Sequence, residues 1–318
     1  MKNFALAGAA GYIAERHLRA VKETGNRIVA ATDVFDVMGR MDSFFPDAEF
    51  FVNPGDFAAD LHARRKTGGA VDYVSICTPN HLHAPYILMA LQNEACAICE
   101  KPLVLYPEEV EAVEKAEQQS GKKVFNILQL RLHPAIVALR EQIRQAGTAK
   151  TYDIDLTYIT SRGKWYFQSW KGDWSKSGSL ATNIGIHFFD MLTWIFGRVR
   201  KNVVHVYGPH RAAGFLGLDQ ARVRWYLSLD YEDVPPAARE RGLRTYRSIT
   251  VDGKEIEFSG GFTDLHTQAY NHILEWNGFG VSEAKSCILL THEIRNLKPA
   301  GLTGDYHPFL ARKVIPPL

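Results

Sequence analysis

The 318-residue sequence contains no apolar run near the roughly 18 residues that a membrane-spanning helix needs, so no membrane partner is expected. It also lacks an excess of charge. Lys and Arg number 37 against 35 Asp and Glu, a formal net charge of +2. That balance offers no basic field for nucleic acid and no polyanionic tail. Cysteine is scarce, at four residues: Cys77, Cys96, Cys99 and Cys287. Cys96 and Cys99 have C-x-x-C spacing, but they lie on a short apolar strand, where residues three apart point to opposite faces. No second pair stands nearby at zinc-site spacing. Buried reduced thiols are expected, and no metal. Export chemistry is missing too: Met1–Ala10 is short, Gly-interrupted and followed by Glu15, Arg16 and Arg19. It reads as a strand rather than a signal peptide, and a cytoplasmic location is expected.

What is present is an alternation. Strands are predicted at Phe4–Ala7, Arg27–Thr32, Asp72–Cys77, Ala95–Cys99 and Val124–Leu128, with helices at Ile13–Thr24, Pro85–Gln92 and Pro107–Ser120. Strands alternating with helices predict a doubly wound parallel sheet, a Rossmann-type α/β domain over residues 1–127. After Arg131 the texture changes. Longer alternating segments at Thr151–Thr160, Asn202–Tyr207, Arg222–Leu229, Thr245–Val251 and Glu255–Phe258 predict a mostly antiparallel open sheet. The predicted helices are Pro134–Gln145, Ile184–Ile195, Leu265–Trp276 and Ser282–Arg295, placed on one face of that sheet. Residues 128–318 are therefore expected to form an α+β domain, a second domain beside the first. Asp252-Gly253 is a hairpin signal, and Asp233–Arg244, with Pro235-Pro236, reads as an exposed loop.

The turn Gly8-Ala9-Ala10-Gly11-Tyr12-Ile13-Ala14 sits between the first strand and first helix. Glycines allow the backbone to approach a pyrophosphate, and the helix N-terminus supplies free N–H groups. The pattern is G-x-x-G-x-x-A, one residue longer than the usual G-x-G spacing, and is a weak signal alone. Asp33 supplies the complement. It follows the second strand, 22 residues after Gly11, where a carboxylate accepts from the ribose hydroxyls and repels a 2′-phosphate. The alternative is an ordinary strand-end or helix-capping residue. Read together, Gly8, Ala10, Gly11, Tyr12, Ile13 and Asp33 predict NAD binding.

Two more segments extend the pattern. Val74-Ser75-Ile76-Cys77-Thr78-Pro79-Asn80-His81-Leu82-His83 precedes Glu100-Lys101-Pro102, and Gly178–Asp190 contains Asn183 and His187. Lys101 follows a buried strand, so it stands at the edge where α/β proteins bind ligands. Asn183 and His187 are four apart and would share one helix face. A histidine near neutral pKa suits removal of a hydroxyl proton. These motifs resemble the glucose–fructose oxidoreductase/inositol dehydrogenase (Gfo/Idh/MocA) family over nearly the whole chain. The resemblance implies that Ser75, Thr78, Asn80 and His83 lie along the cofactor and that Glu100 meets the nicotinamide ribose. It implies an active-site Lys101 and an acid/base His187, with Gln129 and Arg131 near the nicotinamide or substrate. Many members carry Asp where this chain has Asn183. That change moves the proton role to His187, or to Lys101 if its pKa is depressed.

The segment Thr160–Asp173 mixes aromatics with Arg162, Lys164 and Lys171, and Gly261–Tyr270 follows later. Aromatic faces suit sugars and bases, cations suit phosphate and carboxylate; the alternative is loop aromatics packed on the domain edge. With the glycine turn, both segments resemble a bacterial subgroup of the family that oxidises the C3 hydroxyl of UDP-N-acetylglucosaminuronic acid in surface-polysaccharide and O-antigen biosynthesis. That resemblance implies a UDP-sugar substrate, 2-oxoglutarate as a reoxidant of NADH in some members, and a homo-tetramer pairing through the open C-terminal sheet. Arg162, Tyr166, Ser169 and Lys171 are the candidate substrate contacts, with Lys101, Arg131, Asn183 and His187. Two rivals stand beside it: another sugar or cyclitol dehydrogenase of the family, and a non-catalytic NAD-binding regulator, for which Lys101 and His187 would have no use.

Overall fold

The computed structural model describes residues 1–256 and 264–314. Phe258 of the last predicted strand and Gly261-Phe262-Thr263 of the second substrate segment lie outside the described residues. No helix among the described residues is long and apolar enough to cross a membrane.

The chain forms two compact units. The first comprises residues 1–132 and 264–288. It begins with β1 (Asn3–Ala7), α1 (Ala14–Glu23), β2 (Arg27–Thr32), α2 (Met38–Phe44), β3 (Glu49–Phe51) and α3 (Pro54–Lys66). It continues through β4 (Tyr73–Ile76), α4 (His83–Gln92), β5 (Cys96–Cys99), α5 (Pro107–Ser120) and β6 (Val124–Asn126). All pairings are parallel, in the order β3-β2-β1-β4-β5-β6. This is the expected Rossmann sheet, with its topological switch between β1 and β4.

The strands are short and apolar because both faces are buried. Phe4 and Leu6 enter one core with Leu18 and Val21 of α1. Ala5 and Ala7 enter another with Ile87 of α4 and Val113 of α5. Cys96 and Cys99 follow the same alternation, each in a different core, and all four cysteines are free thiols. None of α2, β3 and α3 is among the predicted elements, and α3 buries only Phe57 and Leu61. Its start is set instead by Asn53, whose side chain accepts the Gly55 N–H at 2.7 Å.

The second unit comprises residues 133–263 and 289–318. It begins with α6 (Pro134–Ala146), β7 (Tyr152–Thr160), α7 (Lys164–Gln168) and α8 (Trp174–Ser177), then a π-helical turn at Ala181–Gly185 and α9 (Ile186–Phe196). β8 (Val199–Tyr207), β9 (Arg211–Leu218), β10 (Ala221–Ser228), α10 (Pro236–Glu240), β11 (Thr245–Val251) and β12 (Lys254–Glu255) follow. The sheet runs β12-β11-β7-β10-β9-β8, antiparallel except for the β7–β10 pair. Phe189 of α9 packs edge-on against Trp225 of β10, ring centroids 5.2 Å apart. The chain then returns to the first unit through α11 (Leu265–Leu274) and the start of α12 (Val281–Asn296). The last helix, α13 (Pro308–Val314), belongs to the second.

Three readings change. The sequence boundary at 127/128 leaves α11 with the substrate domain, whereas Tyr270 and Ile273 of α11 are buried in the core of the first unit. The span Asp233–Arg244 is not simply an exposed loop. Asp233 is buried and accepts the hydroxyls of Tyr226 and Ser228, each at 2.6 Å, and the Arg211 guanidinium. Helices do not confine themselves to one face either. Tyr226, next to Trp225 and so on the opposite face of β10, packs against Phe309 of α13.

Candidate functional site

The glycine turn is built by close approach. Gly8 has φ +89°, and a Cβ there would lie 2.7 Å from the Cys77 carbonyl carbon and the Thr78 nitrogen at the end of β4. Only glycine fits both conditions. Gly8 and Ala9 donate to the Thr32 carbonyl at 2.9 and 3.2 Å, and Gly11 donates back to Gly8 at 3.0 Å. Asp33 reaches into the same turn. One oxygen accepts the Ala10 N–H at 2.9 Å, the other the Phe35 N–H at 3.1 Å. Tyr12 is exposed and Ile13 half-buried, while Ala14 is fully buried where α1 meets the sheet. Sequence reading missed Arg40. Its guanidinium, from α2, donates to the Ala9 and Gly11 carbonyls at 2.8 and 2.9 Å and clamps the turn from outside.

At the neighbouring strand ends the predicted residues divide. Asn80 and Thr78 are buried at the end of β4, and the Thr78 hydroxyl meets no protein partner. The carbonyl oxygen of the half-buried Gln129 side chain is likewise buried without a partner. Buried polar atoms are nearly always satisfied, so these two oxygens, with the glycine turn and the Asp33 carboxylate, fit a polar ligand such as a dinucleotide. Ser75 and His83 have other settings. Ser75 is fully buried within β4, its hydroxyl 2.6 Å from that of Tyr270. His83 is fully buried with its two ring nitrogens 2.6 and 3.0 Å from the carbonyls of Pro102 and Thr78, tying the turn after β5 to the end of β4. Burial pushes its pKa down. Arg131 is also buried, its guanidinium 5.0 Å from the Phe279 ring centroid and donating to the Glu283 carbonyl at 3.1 Å.

Glu100, expected at a ribose, follows β5 directly and lies inside a cluster. One oxygen accepts from Nε2 of His17 at 3.1 Å and of His266 at 2.9 Å; the other accepts the Lys101 N–H at 3.3 Å. Burial alone would raise the Glu100 carboxyl, but the bonds from the two histidines outweigh it and hold the group well below the usual carboxylate range. Lys101 itself is half-buried.

In the second unit, Asn183 sits in the π-helical turn and donates to the Tyr166 hydroxyl at 3.0 Å, both side chains being buried. Gly185 lets this turn press against the sheet: a Cβ would come within 2.7 Å of Leu227 and Phe189. π turns are rare and concentrate at functional sites. Here the turn replaces the simple α-helical spacing expected between Asn183 and the half-buried His187, which follows at the start of α9. Arg162 lies 5.9 Å from the Tyr166 ring centroid, and Lys171 lies 5.2 and 5.5 Å from those of Trp165 and Trp170. Burial, reinforced by the Arg162 charge, pushes the Lys171 pKa down. Ser169 is used within the loop, donating to the Tyr166 carbonyl at 2.9 Å and accepting the Lys171 N–H at 3.3 Å.

Residues 2–127 match the oxidoreductase family model of the NAD-binding Rossmann fold, and residues 140–235 its C-terminal alpha/beta domain. Together they cover more than half of the chain. The chain belongs to the Gfo/Idh/MocA oxidoreductase family.

Among solved members, the WlbA (WbpB) dehydrogenase from Thermus thermophilus, in complex with NAD and alpha-ketoglutarate, is 52% identical. It superposes with a TM-score of 0.94 over 97% of this chain and 100% of that one. The same enzyme in complex with NAD and UDP-GlcNAcA gives 51% identity and a TM-score of 0.93 over the same shares. The WlbA dehydrogenase from Bordetella pertussis shares the fold, with a TM-score of 0.77 at 18% identity over 92% and 94% of the two chains. A curated inositol 2-dehydrogenase from Rhizobium meliloti is 28% identical over 61% of this chain and 54% of its own. The protein YteT of Bacillus subtilis is 27% identical over 48% of this chain and 38% of its own. The chain thus spans between about a third and about half of the length of these curated relatives.

Proposed function

We propose that this chain is an NAD-dependent dehydrogenase that oxidises the C3 hydroxyl of UDP-N-acetylglucosaminuronic acid to the ketone, for surface-polysaccharide sugars. The observation that carries the reading is the full-length likeness, at about half identity, to an enzyme crystallised with both NAD and UDP-GlcNAcA. The glycine turn with Arg40 and Asp33 would hold the dinucleotide, and Thr78 and Gln129 offer it unsatisfied oxygens. Asp33 favours NAD over NADP because its charge repels a 2′-phosphate. When bound, NAD supplies the hydride acceptor.

The remaining work belongs to side chains. Lys101 places a cation where the C3 oxygen develops negative charge. The His187 imidazole takes the hydroxyl proton. Arg162 and Lys171 meet the acidic groups of the nucleotide sugar, and the Tyr166–Asn183 pair orients its hydroxyls. NADH is reoxidised on the enzyme by 2-oxoglutarate, the compound found with NAD in the Thermus enzyme. A homo-tetramer in the cytoplasm, where both NAD and nucleotide sugars reside, completes the proposal.

The test is turnover. Purified protein given UDP-N-acetylglucosaminuronic acid, NAD and 2-oxoglutarate should yield 3-keto sugar and 2-hydroxyglutarate, read by mass spectrometry. Absence of both products, with turnover of a simple sugar or cyclitol instead, would transfer the chain to its rival within the family.

A further inference from the structure

Glu100, His17, His266, Tyr270 and Ser75 form one buried chain in the first unit, gathered from four places. Glu100 follows β5, His17 lies on α1, Ser75 on β4, and His266 and Tyr270 are a turn apart on α11. His17 Nδ1 is 2.7 Å from the Tyr270 hydroxyl, and that hydroxyl is 2.6 Å from Ser75 Oγ. His17, Ser75 and Tyr270 are fully buried, and Glu100 and His266 nearly so.

The donors can be assigned by accounting. An ionised Glu100 only accepts, so both Nε2 atoms facing it carry protons. Burial pushes the His17 pKa down despite the Glu100 carboxylate beside it, which keeps the ring neutral. A neutral His17 then has a bare Nδ1, which accepts the Tyr270 hydroxyl proton. The Tyr270 oxygen in turn accepts from Ser75. Every bond runs the same way, from Ser75 through Tyr270 and His17 into Glu100, with His266 donating from the other side. Such a chain gives each of these bonds one donor and one acceptor and fixes the carboxylate in place. The fixed carboxylate accepts the backbone N–H of Lys101.

We propose that His17, His266 and Tyr270 are positioning residues for the reaction: by donating into Glu100 they set the Glu100–Pro102 turn and so the place of Lys101. The inference rests on the reading of Lys101 as a reacting residue. His17, Glu100 and His266 also offer three metal-ligand atoms lying within 4.8 Å of one another. Direct hydrogen-bond distances from both nitrogens to the same Glu100 oxygen favour the hydrogen-bonded form.

The experiment compares His266→Leu, His266→Gln, Tyr270→Phe and Lys101→Ala in the full chain, with melting curves and NAD titrations for each. His266→Leu should lose about 10²-fold in kcat, the cost of a displaced reacting group, with KM for the nucleotide sugar and NAD affinity close to wild type. His266→Gln, which restores one N–H donor, should recover most of that loss. Tyr270→Phe should fall between them. A folded His266→Leu with wild-type kcat while Lys101→Ala is inactive would overturn the inference and leave the function intact. A fully active Lys101→Ala would instead overturn the reading beneath it. One equivalent of zinc in the purified protein by plasma mass spectrometry, with activity lost on chelation, would also overturn the proposal by making the histidines metal ligands. Failure of His266→Gln to rescue, with a normal melting curve, would count against it as well.

Discussion

The glycine turn of the first unit and the Arg162–Lys171 segment of the second hold polar groups in opposite ways. Around the turn, side chains bind backbone: Asp33 takes the N–H of Ala10, Arg40 the carbonyls of Ala9 and Gly11, and His83 bridges to the carbonyls of Pro102 and Thr78. In the second unit, Ser169 apart, side chains meet side chains. Asn183 donates to the Tyr166 hydroxyl, Arg162 lies by the Tyr166 ring, and Lys171 lies by two indoles. A site framed by backbone tolerates side-chain change and demands a fixed turn. One framed by side chains can be retuned residue by residue. This difference suits a family in which the cofactor is common and the substrates differ.

The comparison can be broken at three points. The largest effect is expected from Lys101→Ala and His187→Ala, each losing about 10³-fold in kcat while isothermal titration still shows NAD binding. Wild-type turnover in either variant would remove that residue from the mechanism. Next is Gly8→Ala. Its Cβ would meet the backbone of β4 at 2.7 Å from a left-handed conformation. The expected result is a loss of about 2–3 kcal/mol in unfolding experiments, together with much weaker NAD binding. Unchanged cofactor affinity would show that the turn does not require its close approach. The smallest effect belongs to Tyr166→Phe. It leaves the buried Asn183 amide without its hydroxyl acceptor, so KM for the nucleotide sugar should rise about tenfold, with NAD affinity untouched. Equal losses for both ligands would erase the distinction between the two frameworks.

The parts legible in the sequence are those encoded locally. The glycine turn, Asp33 at its strand end, the short apolar strands and the Asp252-Gly253 hairpin, where both residues have positive φ, all follow from neighbouring residues. What escaped depends on distant contacts or on strands without β-type residues. Arg40 reaches the turn from α2, 31 residues beyond Ala9 in the chain. β9 reads Arg-Ala-Ala-Gly-Phe-Leu-Gly-Leu, poor in branched side chains, and is a strand because β8 and β10 flank it. Asp233 looks like loop polarity until Tyr226, Ser228 and Arg211 are seen around it. The family resemblance implies ligand contacts for Ser75, His83, Glu100 and Arg131, and it does not announce the protein partner that the fold gives each. No local pattern marks a polar residue that serves another polar residue.

The division of the first unit into 1–132 and 264–288 also bears on how the chain is made. As the ribosome completes residue 132, the six strands of the parallel sheet exist, but the helix that supplies His266, Tyr270 and Ile273 does not. Residues 133–263 must emerge first. Until they do, Glu100 has one histidine donor instead of two, and one core lacks part of its cover. The first unit is therefore complete only once its C-terminal piece has been made. A fragment cut at residue 132 is an unfinished domain, and an excised cofactor-binding module would have to carry 264–288 with it.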